Sequence, residues 1–399
     1  MKTFLRYYLF ALLLLLNSFS YSCTQERERN VICGAENTRD YLSLLEGKNV
    51  ALVANQSSMI KSEHLVDFLI GKKIKIKKIF SPEHGFRGKA DAGEKIKDGK
   101  DKLTGIQIVS LYGKHFKPSI SDVRGIDVML FDLQDVGVRF YTYLSTLHYV
   151  MEICAEQNIP LIVLDRPNPN AHYIDGPVLD MKYSSFVGMH PVPVVYGMTI
   201  GEYARMINGE KWLENGVQCD LKVIACKNWS RNQEYHLPVK PSPNLPNSLS
   251  ITLYPSLCFF EGTSVSAGRG TEHPFQCYGH PLMNESNFTY TPKSIPGASK
   301  YPKFKGKNCN GFDLRLINED SFRERKQLDL SFLMTAYSQL KNKEKFFNAF
   351  FRNLAGTNKL KQQLEKGISE EEIRESWSEG LNNFKIIRSK YLIYPEPQK

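Results

Sequence analysis

Apolar residues are arranged in two ways along the first half of the chain: in short continuous runs, and at helical spacing within longer segments. Short apolar runs bounded by glycine or polar residues are typical of buried strands, and the run NVALVAN at 49–55 is an example. Longer segments instead place apolar residues at helical spacing, as Leu144, Leu147, Met151 and Cys154 do. The predicted strands are 49–55, 74–80, 106–113, 126–133, 159–165 and 219–226. The predicted helices are 63–73, 143–157 and 198–212.

The alternation of strands and helices predicts an α/β domain with a doubly wound parallel sheet, because crossover helices cover both faces of such a sheet. The pattern changes in the second half, where residues 228–312 are rich in proline and glycine, and 320–394 predicts charged helices with short apolar strands. A boundary near residue 252 is therefore expected, with the α/β domain at 49–252 and a smaller α+β domain at 253–399.

The first residues predict export. Lys2 and Arg6 precede a short apolar run at 7–16, which is too short to span a bilayer and is typical of a secretory signal. The segment SFSYSC, which ends at Cys23, is similar to a bacterial lipoprotein signal, in which this cysteine carries the lipid. We therefore expect a lipoprotein-type signal at 1–22, a tether at 23–48 and a periplasmic or outer-membrane lipoprotein, and plain secretion stays open.

The net charge and the cysteine content limit the possible binding partners, disulfides and metal sites only slightly. The net charge of +10 suits an anionic partner such as a lipid surface, a nucleic acid or an acidic glycan. The cysteines other than Cys23 are too few for a disulfide scaffold in a chain of 399 residues, although a bridge such as Cys219–Cys226 is open to an exported protein. No CxxC or HExxH spacing occurs, so no metal site is predicted.

Charged and amide side chains follow four of the predicted strands. The carboxyl ends of parallel strands meet at one edge of the sheet, where ligands bind, so these side chains are expected to share a site. They are Asn55, Gln56 and Ser57; Glu83, His84 and Arg87; Asp132, Gln134, Asp135 and Arg139; and Asp165, Arg166 and Asn168.

Carboxylates are the groups left to carry chemistry. Glu83 and Glu94 lie on one connection, and a carboxyl beside an apolar strand end suits a general acid. A glycine-rich segment at 261–275 contains Arg269 and Glu272, but it matches no phosphate loop, and the chain has no GxSxG elbow.

The order of the motifs resembles one family, the exo-β-N-acetylmuramidases of the NamZ family. The resemblance covers 49–394, nearly the whole mature chain. It is carried by SPEHGFRG, DAGE, SLYG, DVMLFDLQDVGVRFYTYLSTL, LDRPNP, GMTIGEYA, PSPNLP, EGTSVSAGRGTEHPF and YLIY.

The resemblance implies a Rossmann-like domain, a smaller second domain and a cleft that releases N-acetylmuramic acid from the non-reducing end of peptidoglycan fragments. It implies saccharide partners, with no cofactor and no nucleic acid. Glu83 would be the catalytic acid, with His84 beside it and Glu94 as the assisting carboxylate. The sugar-binding residues would be Arg87, Asp132, Asp135, Arg139, Arg166, Asn168, Asn244, Arg269 and Glu272. Retention, inversion and assistance by the substrate's acetamido group all stay open.

Two other functions compete with hydrolysis. A lipid-anchored protein that binds cell-wall sugars without turnover would use the same arginines and aromatic residues. Binding of a nucleotide or sugar phosphate would fit the positive charge, but it lacks the phosphate loop.

Overall fold

A seven-stranded sheet organises the first half of the computed structural model, which describes residues 30–83, 85–87, 99–284, 286–340 and 343–396. The strands of this half are β1 (Asn49–Ala54), β2 (Met59–Ile60), β3 (Glu63–His64), β4 (Lys75–Ser81), β5 (Gly99–Lys100), β6 (Gln107–Ser110), β7 (Val128–Asp132), β8 (Leu161–Leu164) and β9 (Leu221–Ile224). β2 and β3 form a separate antiparallel pair. The large sheet has the order β5-β6-β4-β1-β7-β8-β9, and only β5 runs antiparallel to its neighbour.

The strand order is that of a doubly wound sheet, in which the chain leaves β1 first toward β4 and later toward β7. β7 and β8 are buried at every position, as expected for strands covered on both faces. The helices of this domain are α1 (Leu42–Leu45), α2 (Leu65–Gly71), α3 (Tyr143–Glu156) and α4 (Ile200–Gly209). The predicted Rossmann-like fold is therefore confirmed.

The second half is smaller and mostly helical. Its helices are α5 (Ser248–Leu257), α6 (Glu319–Glu324), α7 (Ser331–Gln339), α8 (Phe351–Ala355), α9 (Lys359–Glu365), α10 (Glu370–Glu375) and α11 (Ser378–Ser389), and its strands are β10 (Cys277–His280), β11 (Phe288–Tyr290) and β12 (Cys309–Asp313). These strands form an antiparallel sheet in the order β10-β12-β11. The α+β class of this part is confirmed. The short strands expected within 320–394 do not form in the described residues of that range. The apolar stretch around Phe384 is part of helix α11 instead, where Phe384 and Arg388, four residues apart, are buried on one face.

The YLIY segment returns to the first domain. Tyr394 is buried, and its hydroxyl donates to Asp165 Oδ2 at 2.6 Å and accepts from the Cys226 amide at 2.8 Å. Its ring meets Trp229 edge-on, with the centroids 4.7 Å apart. The second half of the chain therefore completes the edge of the sheet at β8 and β9.

Arg139 links the two domains from a fully buried position. Its Nη1 donates to the carbonyls of Pro177 and Val192, at 2.8 and 2.7 Å, and its Nη2 donates to the carbonyl of Leu354 at 2.9 Å. Burial lowers the pKa of this guanidinium to about 9. Its charge is thus stabilised by backbone dipoles of both domains.

The bridge between Cys219 and Cys226, which the sequence left open, does not form. The seven cysteines among the described residues are all free and buried. Cys219 precedes β9 and Cys226 follows it, so an extended strand holds their Cα atoms on the order of 20 Å apart, while a disulfide needs less than about 7 Å. The predicted signal and Cys23 lie outside the described residues. Within the part of the chain that is described, no helix is both long and apolar enough to cross a membrane.

A buried polar network lies on α3. Glu152 Oε1 contacts His148 Nε2 at 2.9 Å, and Glu152 Oε2 contacts Lys117 Nζ at 3.1 Å. Burial alone would raise the pKa of Glu152, but His148 and Lys117 lower it from its usual 4.5 to about 2. The folded protein therefore holds this carboxylate ionised well into the acid range.

We expect Arg139→Met to lower the free energy of unfolding by about 3 kcal/mol or more, because it removes three buried hydrogen bonds to carbonyls, although the Val192 carbonyl keeps the Leu179 amide as a donor at 3.1 Å. Urea unfolding at pH 7, followed by tryptophan fluorescence, measures this loss. Arg124→Met, at an exposed position, is the control and should unfold like the wild type. An unchanged midpoint for Arg139→Met would show that this cation is not needed for the fold.

We expect Glu152 to contribute to acid stability. Its pKa is lower in the folded than in the unfolded protein, so its contribution is complete above about pH 4.5 and is lost as the pH falls toward 2. The midpoint of urea unfolding should thus fall more steeply between pH 4.5 and 2 in the wild type than in Glu152→Gln. Parallel curves for the two proteins would contradict this role.

Candidate active site

A cavity of about 240 Å³ lies where the carboxyl ends of β4, β6 and β7 face the second domain. Both domains line it. The first domain contributes Glu83, Tyr112, Phe140, Tyr141, Thr142, Tyr143, Phe186, Val187, Ser242, Asn244 and Leu245, and the second contributes Tyr254, Cys258, Glu261, Arg269, Phe275, Phe350 and Leu354. The site therefore exists only when the two domains are packed together.

Among the described residues of the first domain, Glu83 is the acidic residue that lines this cavity. It follows Ser81 and Pro82 at the end of β4, so the chain turns and directs the carboxyl beyond the sheet edge. Its Oε2 accepts a hydrogen bond from Thr142 Oγ1 at 3.2 Å. Burial and the nearby Glu83 carboxylate raise the pKa of Tyr112, which stays protonated as a hydrogen-bond donor to Glu83.

Glu261 and Arg269 form the charged pair of the second domain. Arg269 Nη1 lies 2.9 Å from Glu261 Oε2. Burial would lower the pKa of Arg269, but the carboxylates of Glu261 and Glu83 raise it above its usual value. Among the described residues, Arg269 Nε is buried and has no hydrogen-bond partner, so one donor of this guanidinium, which lines the cavity, is unsatisfied.

The remaining walls are mainly aromatic, and their polar ends are fixed. The hydroxyl of Tyr141 donates to the Pro241 carbonyl at 2.8 Å, and the hydroxyl of Tyr143 accepts from Asn55 Nδ2 at 2.6 Å. The ring of Phe140 meets that of Tyr254 edge-on at 5.5 Å. Such walls suit a ligand with apolar faces and polar edges.

Three of the residues predicted for the site line this cavity: Glu83, Asn244 and Arg269. Asn244 also donates from Nδ2 to the Ala298 carbonyl at 2.8 Å, which fixes its side chain.

Asp132 and Arg166 lie elsewhere, in a buried ion pair beyond the ends of β7 and β8. Arg166 Nε and Nη2 contact the two carboxylate oxygens of Asp132 at 2.6 and 2.8 Å, and Nη2 also donates to the Met59 carbonyl. The two charges satisfy one another, so the structure assigns them to the crevice at the switch point and not to the cavity.

Three other predicted residues form hydrogen bonds to backbone groups and do not line the cavity: Asp135, Asn168 and Arg139. Asp135 accepts from the hydroxyl of Tyr196 and from the Gly137 amide, and burial raises its pKa to about 6. Asn168 donates to the Met198 carbonyl at 2.8 Å. The three guanidinium bonds of Arg139 to carbonyls leave it no access to the cavity.

The other predicted residues are outside the cavity or outside the described residues. Arg87 pairs with Asp101 at 2.9 Å. Glu272 is exposed to solvent. His84 and Glu94 lie outside the described residues, so their predicted catalytic roles stay predictions.

Sequence reasoning missed several cavity residues, although their motifs were recognised. Tyr112 lies in SLYG and Thr142 lies in RFYTYL, while Glu261 was noted at the start of the glycine-rich segment but was not assigned to the site. An aromatic residue at the carboxyl end of the predicted strand 106–113 was the available signal for Tyr112. Tyr254 gave no such signal, because it lies within α5 and reads as an ordinary core residue.

The described ranges offer no cluster of metal ligands. No group of three or more His, Cys, Asp or Glu side chains there is arranged to hold a metal ion.

Comparisons with known proteins cover almost the entire described chain. Residues 50–249 match the family model described as "Exo-beta-N-acetylmuramidase NamZ, N-terminal", and 252–394 match its C-terminal counterpart. The curated "Peptidoglycan beta-N-acetylmuramidase NamZ" of Bacillus subtilis (strain 168) is 38% identical over 373 residues, which are 89% of each chain.

Two crystal structures of DUF1343 family proteins from Bacteroides fragilis NCTC 9343 share the fold. The first is 44% identical, with a TM-score of 0.86, and the match covers 92% of this chain and 100% of that one. The second is 26% identical, with a TM-score of 0.79 and coverages of 92% and 99%. Because the two family models together span both domains that form the cavity, the chain belongs to the exo-β-N-acetylmuramidase NamZ family.

Proposed function

We propose that this protein is an exo-acting glycoside hydrolase that releases N-acetylmuramic acid from the non-reducing end of peptidoglycan fragments. The observation that carries the proposal is a cavity between two domains that is lined by Glu83, by the Glu261–Arg269 pair and by aromatic side chains. Family membership and the name of the curated relative support the substrate class.

Glu83 acts as the general acid. A neutral carboxyl here would donate its proton to the glycosidic oxygen as the bond to the leaving sugar breaks. Thr142 and Tyr112 hold the carboxyl at the cavity wall, and the aromatic side chains around it limit competing water. The resulting carboxylate is accommodated because both hydroxyls can donate to it.

The reaction also needs a second group to stabilise the positive charge that develops on the sugar ring or to deliver water. Glu261 is the carboxylate that the cavity offers for this role, and Arg269 holds it in place. The resemblance assigns the assisting role to Glu94. The acetamido group of the substrate is the third alternative, and the configuration of the released sugar distinguishes inversion from the two retaining routes.

Arg269 would recognise the lactyl carboxylate that distinguishes muramic acid from N-acetylglucosamine. A guanidinium binds a carboxylate best through two parallel N–H donors. Nη1 of Arg269 donates to Glu261, while its buried Nε has no partner among the described residues, and this unsatisfied donor supports the assignment.

We expect Glu83→Gln to lower kcat/KM at least ~100-fold on the β-1,4-linked disaccharide of N-acetylmuramic acid and N-acetylglucosamine, because general acid catalysis typically contributes that much. The loss should be much smaller on a 4-nitrophenyl glycoside of muramic acid, since this leaving group departs without a proton. Chromatographic quantification of released N-acetylmuramic acid measures both rates.

Glu379→Gln is the matched control, because it removes a carboxylate from an exposed position of α11. Full activity of Glu83→Gln on the disaccharide would reject Glu83 as the acid. Tight disaccharide binding by the wild type without any release would favour the alternative of a sugar-binding protein. In the same assay, Glu261→Gln and Glu94→Gln show which second carboxylate is needed.

We also propose export and lipid attachment at Cys23, supported by the charged, apolar and cysteine-terminated order of residues 2–23. Mass spectrometry of the protein purified from membranes of the native host should show a mature chain that begins at a diacylated Cys23. A mature, unmodified chain in the soluble fraction would instead establish plain secretion.

A further inference from the structure

A second cavity of about 330 Å³ adjoins the first and shares the Glu261–Arg269 pair with it. Ser266 and residues 299–303 form much of its remaining wall. The two walls are also joined at Ala298, whose carbonyl accepts the hydrogen bond from Asn244 of the first cavity. The two cavities are therefore neighbours, with one ion pair at their boundary.

Hydrogen bonds from Lys303 to backbone carbonyls hold the wall of the second cavity in place. Lys303 Nζ is largely buried and donates to the carbonyls of Phe260 at 2.7 Å, Thr263 at 2.8 Å and Val265 at 3.1 Å. Gly270, with φ of +83°, packs against Pro302, where a Cβ atom would approach Pro302 Cγ to 2.5 Å. The segment 299–303 is thus held firmly against the glycine-rich segment that contains Arg269.

Tyr301 is the prominent side chain of this wall, with 80% of its surface exposed. The ammonium groups of Lys300 and Lys305 lie 5.7 and 6.0 Å from its ring centroid. A single exposed aromatic residue is common on protein surfaces and needs no functional explanation. Tyr301, however, lies on the wall of a cavity that adjoins the candidate active site. Its flat ring and the flanking lysine donors match the apolar face and polar edge of a sugar.

We propose that the second cavity binds the sugar on the reducing-end side of the bond that is cut, with Tyr301 as its stacking platform. In the proposed reaction this sugar is the N-acetylglucosamine leaving group, so the inference rests on the proposed function. The first cavity is too small to hold this second sugar as well. Its volume of about 240 Å³ lies below the ~300–1,000 Å³ of pockets for larger ligands and suits one sugar ring.

The order of the two sugars follows from the acidic residues. Glu83 lines only the first cavity, whereas Glu261 lines both. A glycosidic bond that crosses the shared boundary would place its oxygen between the two cavities, within the region that these carboxylates face. The terminal sugar then fills the aromatic first cavity, and the leaving sugar lies toward the exposed Tyr301.

Contacts to the leaving sugar would orient the glycosidic oxygen toward the acid. Their binding energy would therefore appear in kcat/KM for a saccharide and be absent for a substrate without a second sugar. This difference separates a role in binding from a role in folding, since a folding defect would slow both substrates.

The test compares Tyr301→Ala with the wild type on two substrates: the β-1,4-linked disaccharide and N-acetylmuramyl β-fluoride, whose leaving group is a single atom. We expect kcat/KM to fall about tenfold on the disaccharide, the size of one aromatic contact, and to stay within about twofold on the fluoride. Tyr183→Ala is the matched control, because Tyr183 also has a lysine 5.1 Å from its ring and lies outside both cavities.

Equal losses on both substrates, or no loss on the disaccharide, would overturn the inference. Calorimetric titration with the disaccharide and with N-acetylmuramic acid separates this inference from the proposed function. If the wild type hydrolyses neither substrate, the proposed function fails. The second cavity is then supported only if Tyr301→Ala weakens binding of the disaccharide and leaves binding of the monosaccharide unchanged.

Discussion

The structure depends on one buried cation, the guanidinium of Arg139. No carboxylate of the described residues pairs with it. The carbonyls of Pro177, Val192 and Leu354 stabilise its charge instead, so a small displacement of any of the three segments would weaken these hydrogen bonds. The close fit extends to Gly356, where φ is +70° and a Cβ atom would lie 2.5 Å from Arg139 Nη2. The residues directly after Arg139 line the first cavity, and so does Leu354. The requirement to satisfy this charge therefore fixes the position of one domain's cavity wall relative to the other's.

Much of the fold was predictable because its signals are local. Strands such as β7 are continuous apolar runs, since both faces of the sheet are covered. Helix α4 begins at a capping box formed by Thr199 and Glu202, which can be recognised from the sequence 199–202 alone. The tail after residue 320 was harder, because a short apolar stretch such as that around Phe384 fits either a strand or one face of a helix.

The site was predictable only in part, because polar residues at strand ends have two possible uses. Glu83 faces the cavity, whereas Asp132 and Arg166 neutralise one another and Asn168 satisfies a backbone carbonyl. Position along the strand is the same in both cases, and only the long-range partners distinguish them. The partner of Arg139 at Leu354, for example, is 215 positions away in the chain. Asn244 and Arg269 lie in segments without strand or helix periodicity, and the family resemblance alone assigned them to the sugar site.

The insertion of Tyr394 beside Asp165 has a consequence for biogenesis. The two residues are 229 positions apart, yet their contact closes the edge of the first domain, where burial also raises the pKa of Asp165 to about 6. When the whole α/β segment has been synthesised, Tyr394, which completes the edge of that domain, has therefore not yet been synthesised. The nascent first domain keeps an open edge throughout translation of the second, and the two halves reach their final form together instead of one after the other.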